Sequence, residues 1–119
     1  MMHNRALVQV LRELEVQLPG FKYSLYDFYT SLQQRIDYPS KYGFEEGKTA
    51  CCGTGKFRGL YSCGGTRDVK EYELCKNVNE YVFWDSAHPT EKAYWQIADE
   101  MWNYSSYGSH SIKELFHLS

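Results

Sequence analysis

The sequence predicts an α/β protein, because helical and strand-like patterns alternate along the chain. Between residues 6 and 18, leucines recur every three or four positions, which is typical of an amphipathic helix that ends at Pro19-Gly20. Residues 21–26 then alternate apolar and polar side chains and are rich in aromatics, which predicts a short strand. Residues 31–36 predict a weaker helix that stops at Tyr38-Pro39. A helix, a two-residue break and a strand form the αβ unit of a layered fold.

The C-terminal part of the chain repeats this alternation. Residues 81–84 predict a second short strand, and Pro89 suits the first position of a following helix, since its missing N–H costs nothing there. Two neighbouring stripes of that helix are expected in the core: Ala93, Ile97 and Met101, and Tyr94, Ala98 and Trp102. Residues 112–118 predict a marginal helix.

The segment 40–80 is predicted to be a long surface loop, since it holds seven of the nine glycines. It also holds all four cysteines: Cys51, Cys52, Cys63 and Cys75. A zinc site would show Cys-x-x-Cys pairs or interleaved histidines, and neither occurs, so disulfides are expected and no metal. Four cysteines allow three pairings, which stay open. Nothing basic flanks Cys51-Cys52 closely enough to indicate a reactive dithiol instead.

Composition limits the kind of protein. A length of 119 residues suits one domain, and 13 basic against 15 acidic residues give a formal charge of −2 with no electrostatic footprint for nucleic acid. No apolar stretch approaches the roughly 18 to 20 residues of a membrane helix, and no export signal follows Met1. Disulfides nonetheless imply an oxidising compartment. This mismatch suggests that Met1 is not the natural start of the protein.

Asp85 and His88 are the candidate catalytic residues. A carboxylate that accepts a hydrogen bond from one imidazole nitrogen fixes the tautomer of the ring and leaves the other nitrogen free to take a proton. The simpler interpretation is a cap on a surface turn. The predicted position, after a strand and at the entrance of a helix, favours a site instead, because open α/β sheets hold their sites there.

The 20 aromatic residues could form a stacking surface for sugars or bases. They are scattered among all the predicted elements, however, so packing in the core and partial burial are the expected explanation.

Three passages of the sequence resemble the plant GDSL-type esterase/lipases, a branch of the SGNH hydrolases, and most closely their extracellular-lipase group. They are Asn4-Arg-Ala-Leu7 with Leu18-Pro-Gly20 and Tyr26-Asp-Phe-Tyr29; Pro39-Ser-Lys-Tyr-Gly-Phe44 with Ala50-Cys-Cys-Gly-Thr-Gly55; and Val82-Phe-Trp-Asp-Ser-Ala-His-Pro-Thr-Glu-Lys-Ala93. The resemblance covers residues 4 to 102 and implies that Asp85 is the catalytic acid and His88 the base.

The resemblance also implies a secreted protein that hydrolyses carboxylic esters, of lipids or small acyl groups, without a cofactor. Its fold would be the C-terminal part of a three-layer α/β/α, flavodoxin-like SGNH hydrolase, with residues 1–119 forming a partial domain truncated to one or two strands of a five-stranded parallel sheet.

The chain departs from that family in lacking a nucleophile. The family's serine lies in a Gly-Asp-Ser segment and its oxyanion groups include a Gly-x-Asn-Asp segment, and neither occurs here. We therefore expect the chain to be inactive alone, as a truncated product or an incomplete gene model. The alternative is a non-catalytic secreted interaction protein, a remnant of a hydrolase that keeps its cysteine-containing loop as a binding surface. A small cysteine-stapled module unrelated to hydrolases is a third hypothesis.

Overall fold

A computed structural model describes residues 2–118 of the chain. Its elements, in chain order, are α1 (Met2–Gln17), α2 (Phe28–Asp37), a 3-10 helix (Pro39–Tyr42), β1 (Cys52–Gly53), β2 (Glu73–Leu74), a second 3-10 helix (Val78–Glu80), α3 (Glu91–Asn103) and α4 (Ile112–His117). The residues divide into two compact units: those up to Asp27 together with those from Ala98 onward, and Phe28–Ile97.

The first unit contains α1 and α4. The predicted first helix is confirmed as α1, although it begins at Met2 rather than Ala6, and none of its residues is buried. The marginal C-terminal helix is confirmed as α4. Ser111 and Glu114 form a capping box at its start, in which each side chain accepts a hydrogen bond from the other residue's amide. Two amide donors that a helix leaves unpaired are satisfied in this way.

The predicted strand at residues 21–26 is wrong. Its backbone makes only separate hydrogen bonds with the loop before α4: the carbonyl of Tyr23 accepts from the amide of His110 at 3.1 Å, and that of Leu25 from Ser106 at 2.7 Å. The partner loop turns at Tyr107, whose φ is 58°, so it offers no continuous extended edge. A regular ladder needs such an edge.

The second unit holds a small apolar core. Phe44, Val82 and Ala93 are almost fully buried, and Leu32, Tyr42 and Phe83 pack around them. The predicted second helix is confirmed as α2 and is longer than expected at both ends. Because Phe44 and Val82 lie far apart in sequence, their packing ties the start of the cysteine-containing segment to the candidate site.

The predicted strand at residues 81–84 is also wrong. Tyr81 forms a single parallel bridge with Glu46, and Phe83 a single antiparallel bridge with Pro89. The ladder is interrupted because the neighbouring chain leaves it at residues 47–50 and returns at Cys51, whose amide donates to the carbonyl of Phe83. Within residues 2–118, β1 pairs with β2 to form a two-stranded sheet. The two strands are antiparallel, whereas strands of a parallel sheet were predicted.

The start and the packing of α3 differ in part from the prediction. The helix begins at Glu91, two residues after Pro89, because Thr90 caps it. In the first predicted stripe, Ala93 and Ile97 are buried as expected, whereas Met101 is only partly buried. The neighbouring stripe is not core, since Tyr94 is 48% exposed and Trp102 43% exposed.

The cysteine-containing segment is tethered by two disulfides, as predicted. Cys51 pairs with Cys75 and Cys52 with Cys63, and Cys51 and Cys52 are each only 1% exposed. The expectation of a surface loop is therefore wrong for Phe44 and residues 50–53, which are buried. Disulfides supply covalent restraint where a short element such as β1 buries little surface.

The aromatic side chains are less buried than expected. Tyr23 and Phe44 are buried, whereas Trp95 and Phe116 are each 69% exposed. Core packing alone therefore does not explain most of the aromatic residues in residues 2–118. The expected partial burial is found for side chains such as Tyr42 and Phe83, which pack against the core. None of the helices in this range is long and apolar enough to cross a membrane.

Candidate active site

A tight turn in the second unit brings Asp85 and His88 together. The amide of Trp84 donates to the carbonyl of His88 at 2.8 Å, which closes the turn. Oδ1 of Asp85 accepts hydrogen bonds from the amides of Ala87 at 2.9 Å and His88 at 2.8 Å. Aspartate commonly forms turns of this kind because its short side chain reaches amides two and three residues ahead. The local sequence therefore folds the carboxylate towards the histidine.

The side chains of Asp85 and His88 are in hydrogen-bond contact. Nδ1 of His88 lies 2.8 Å from Oδ1 and 3.0 Å from Oδ2 of Asp85. The Asp85 side chain is 15% exposed and that of His88 is 57% exposed. Because Nδ1 faces the carboxylate, Nε2 is the ring nitrogen that can meet a reacting group from solvent or from another segment.

The carboxyl group of Asp85 is held in its charged form. Partial burial raises its pKa, but hydrogen bonds from the Ala87 amide, the His88 ring and the His88 amide outweigh this effect, and the pKa lies below the ordinary value of 3.8. Hydrogen bonds to the ionised form favour that form. Asp85 is therefore an acceptor at neutral pH and can orient the imidazole and stabilise its protonated state.

The chain before the turn is fixed by the cysteine-containing segment. The amide of Cys51 donates to the carbonyl of Phe83 at 2.9 Å, and the amide of Cys52 donates to that of Trp84 at 2.7 Å. Asp85 is the next residue. The position of the carboxylate thus depends on a backbone segment more than 30 residues earlier in the sequence.

The chain after the turn is fixed by Thr90. Its amide donates to the carbonyl of Val82 at 2.8 Å, and its hydroxyl donates to the carbonyl of Tyr81 at 2.8 Å. The same hydroxyl accepts from the amide of Ala93 at 3.3 Å and so caps α3. Thr90 is 2% exposed. One buried side chain therefore joins both flanks of the turn to the start of the helix.

Both predicted site residues lie in this turn, but the setting differs from the prediction. Asp85 does not follow a strand, and His88 lies three residues before α3 rather than one. Sequence reasoning missed Thr90 and the contacts of Cys51 and Cys52. Thr90 could have been found, because threonine before a helix-forming run is a common cap. The cysteine contacts have no local signal.

Metal ligands are not grouped in the part of the chain that the structure describes. No group of three or more His, Cys, Asp or Glu residues there could hold a metal ion. All four cysteines are in disulfides.

An imidazole whose Nδ1 faces a carboxylate is the acid–base geometry of hydrolases with a Ser-His-Asp triad. The sequence comparison agrees with that class. Residues 2–101 match the family described as GDSL-like Lipase/Acylhydrolase, so the chain belongs to this family.

Among the curated relatives, GDSL esterase/lipase 5 of Arabidopsis thaliana is 56% identical over 102 residues, which cover 86% of this chain and 26% of the relative. GDSL esterase/lipase 1 of the same plant is 50% identical over 99% of this chain and 32% of its own length. The Inactive GDSL esterase/lipase-like protein 25 of that plant is 39% identical over 98% of this chain and 27% of its own length. The chain spans between about a quarter and a third of these relatives. No solved structure matches it.

Proposed function

We propose that Asp85 and His88 are the orienting acid and the general base of a carboxylic ester hydrolase that works through a serine acyl-enzyme. The observation that carries the proposal is the contact of 2.8 Å between Nδ1 of His88 and Oδ1 of Asp85, with the His88 ring more than half exposed. A general base must be within reach of its substrate's proton and held in one tautomer. Both requirements are compatible with this turn.

The serine nucleophile is proposed to come from outside these 119 residues, because no serine here lies in a Gly-Asp-Ser segment. Nε2 of His88 would take the proton of that serine as its oxygen attacks the ester carbonyl, and would return the proton to the leaving alcohol. In the second half-reaction Nε2 would take a proton from water as the water oxygen attacks the acyl carbonyl, and would pass that proton to the serine oxygen as the acid is released. Asp85 would stabilise the imidazolium in both steps. This chemistry requires no metal or organic cofactor.

The magnitude of the missing contributions predicts that the 119 residues alone hydrolyse esters no faster than a free imidazole does. Loss of a catalytic serine costs on the order of 10⁶ in kcat. Each missing oxyanion donor costs a further ~10² to 10³.

The names of the relatives support the ester class of substrate and extend the proposal to lipids. The two Arabidopsis thaliana relatives numbered 5 and 1 are both called esterase/lipase. By family we also propose the three-layer α/β/α arrangement and secretion for the whole polypeptide. The two disulfides support secretion, because such bonds persist in oxidising compartments.

The test is a chimera in which these residues replace the matching part of GDSL esterase/lipase 1, whose match covers 99% of this chain at 50% identity. The chimera should hydrolyse p-nitrophenyl acetate, and His88→Ala should lower kcat by roughly 10⁴-fold or more. The matched control is His110→Ala, because Nδ1 of His110 also lies near a carboxylate, 3.9 Å from Glu114, but outside the turn. That variant should keep the activity.

Two results would contradict the proposal. One is a chimera whose activity is unchanged by His88→Ala. The other is a folded chimera without activity although the parent relative is active; this outcome favours the alternative of a non-catalytic interaction protein. That alternative is based on the length and glycine content of the cysteine-containing loop. The 39% identity to a relative named as inactive also supports it.

A further inference from the structure

The adjacent residues Cys51 and Cys52 are each tied to a different part of the chain. Cys51 is bonded to Cys75, 24 residues later, and Cys52 to Cys63, 11 residues later. The carbonyl of Cys51 also accepts a hydrogen bond from the amide of Cys75 at 2.7 Å. Two neighbouring backbone positions are thus held by covalent bonds that lead in different directions.

The amides of these two residues point to the chain that enters the candidate site. Cys51 donates to the carbonyl of Phe83 at 2.9 Å and Cys52 to that of Trp84 at 2.7 Å. The peptide group that follows Trp84 begins Asp85, whose carboxylate contacts His88. A shift of Cys52 would therefore be passed directly to the residue that orients the imidazole.

Apart from these contacts, the turn is held by the hydrogen bonds of Asp85 and Thr90 rather than by burial. Trp84, Ser86, Ala87 and His88 are exposed, so burial of apolar surface contributes little to their order. The α3 helix, by contrast, is held by the burial of Ala93 and Ile97, which are 0% and 3% exposed. Loosening of the turn can thus occur without unfolding of the helix beside it.

We infer that the adjacent residues Cys51 and Cys52, each held by its own disulfide, position the Asp85–His88 turn. Cleavage of the Cys52–Cys63 disulfide then loosens the contact between carboxylate and imidazole while α3 stays folded. The catalytic meaning of this inference rests on the proposed function, whereas the structural claim does not. Cleavage needs a thiol reductant: the S–S bond takes up two electrons and two protons to give two thiols, and a dithiol reagent is oxidised to its own disulfide.

The experiment compares amide hydrogen exchange by NMR in the 119-residue chain and in its double variant Cys52→Ala/Cys63→Ala, which keeps the Cys51–Cys75 bond. The amides to follow are those of Ala87 and His88, which donate to Asp85. Their exchange should become roughly 5- to 30-fold faster, as expected for the loss of one or two hydrogen bonds. Reduction of the unmodified chain with dithiothreitol should accelerate the same amides.

The amides of Ile97 and Ser111 serve as internal controls. Ile97 lies within α3, and Ser111 donates to a carboxylate in the capping box of α4, where no disulfide is attached. Neither should change by more than about twofold, since neither is held by the cleaved bond. No acceleration at Ala87 and His88 would overturn the inference. Equal acceleration at all four amides would also overturn it, because the disulfide would then stabilise the whole fold rather than the turn.

A second measurement uses the active chimera and separates positioning from substrate binding. The double variant Cys52→Ala/Cys63→Ala should lower kcat about tenfold or more and leave KM nearly unchanged. A displaced base stabilises the transition state less, whereas binding of the substrate in the ground state does not depend on it. A raised KM with kcat retained would contradict the inference. If the chimera proves inactive in every form, the proposed function fails, and the exchange experiment still decides the structural claim.

Discussion

The amide of Cys52 and the carbonyl of Trp84 are joined by a hydrogen bond of 2.7 Å, one residue before Asp85. This bond links the disulfide-containing segment to the candidate acid–base pair. It explains how an exposed turn without a strand on either side keeps one geometry.

Asp85 should make stability depend on pH. Its pKa is lower in the folded chain than its ordinary value of 3.8, so its contribution is fully present above that value and is lost as pH falls through the lower folded pKa. In Asp85→Asn the amide oxygen can still accept from the turn amides, but the charge is gone. Urea unfolding of the unmodified chain and of Asp85→Asn, measured from about pH 2 to pH 7, should give free energies of unfolding that converge at the acidic end. A difference that is constant with pH would contradict this.

Thr90→Val should destabilise the second unit. The change removes the cap of α3 and leaves the carbonyl of Tyr81 without its hydroxyl donor, which together cost about 2 kcal/mol. Chemical denaturation monitored by circular dichroism measures the difference. The control is Thr66→Val, at an exposed position, which should change stability by no more than about 0.5 kcal/mol. Equal effects at both positions would argue against the role of Thr90.

Gly53→Ala should destabilise the fold strongly, although it adds only one methyl group. Gly53 has a φ of 141°, and an added Cβ would lie 2.3 Å from the carbonyl oxygen of Arg58. Backbone strain and this clash should cost at least about 1 to 3 kcal/mol. Gly59→Ala is the matched control, because an added Cβ there meets nothing within 4 Å. Thermal unfolding of the two variants should separate them clearly, and similar melting temperatures would contradict the close approach at Gly53.

Phe44→Ala should test the small core of the second unit. Phe44 is 1% exposed and packs with Val82 and Ala93, so its truncation should cost about 3 to 5 kcal/mol. Phe57→Ala, at a side chain that is 50% exposed, should cost much less. Urea unfolding measures both. A Phe44 variant as stable as the Phe57 variant would show that the core does not hold this unit together.

The helices were predictable from the sequence because a helix forms its hydrogen bonds within one segment. The leucine spacing that predicts α1 and the Pro39 that follows α2 are local signals. The spacing of Asp85 and His88 is local as well, and it correctly predicts that the two side chains meet.

The strands and the surroundings of Asp85 were not predictable, because they depend on contacts between segments that are distant in the sequence. Residues 81–84 have the composition of a strand, but their neighbouring chain leaves at residues 47–50, and no local pattern reports that interruption. The pairing of Cys51 with Cys75 and of Cys52 with Cys63 likewise depends on the folded path of the chain. Both features determine where Asp85 lies.

The tautomer of His88, read from the ring nitrogen chemical shifts of the 119-residue chain labelled with ¹⁵N, decides whether this residue can act as the base. At a pH where the ring is neutral, Nδ1 should carry the proton and donate it to Asp85, while Nε2 should be unprotonated and able to accept. In Asp85→Ala this preference should be lost. If Nε2 instead carries the proton in the unmodified chain, His88 cannot act as the base, and the proposed role of the Asp85–His88 pair is wrong.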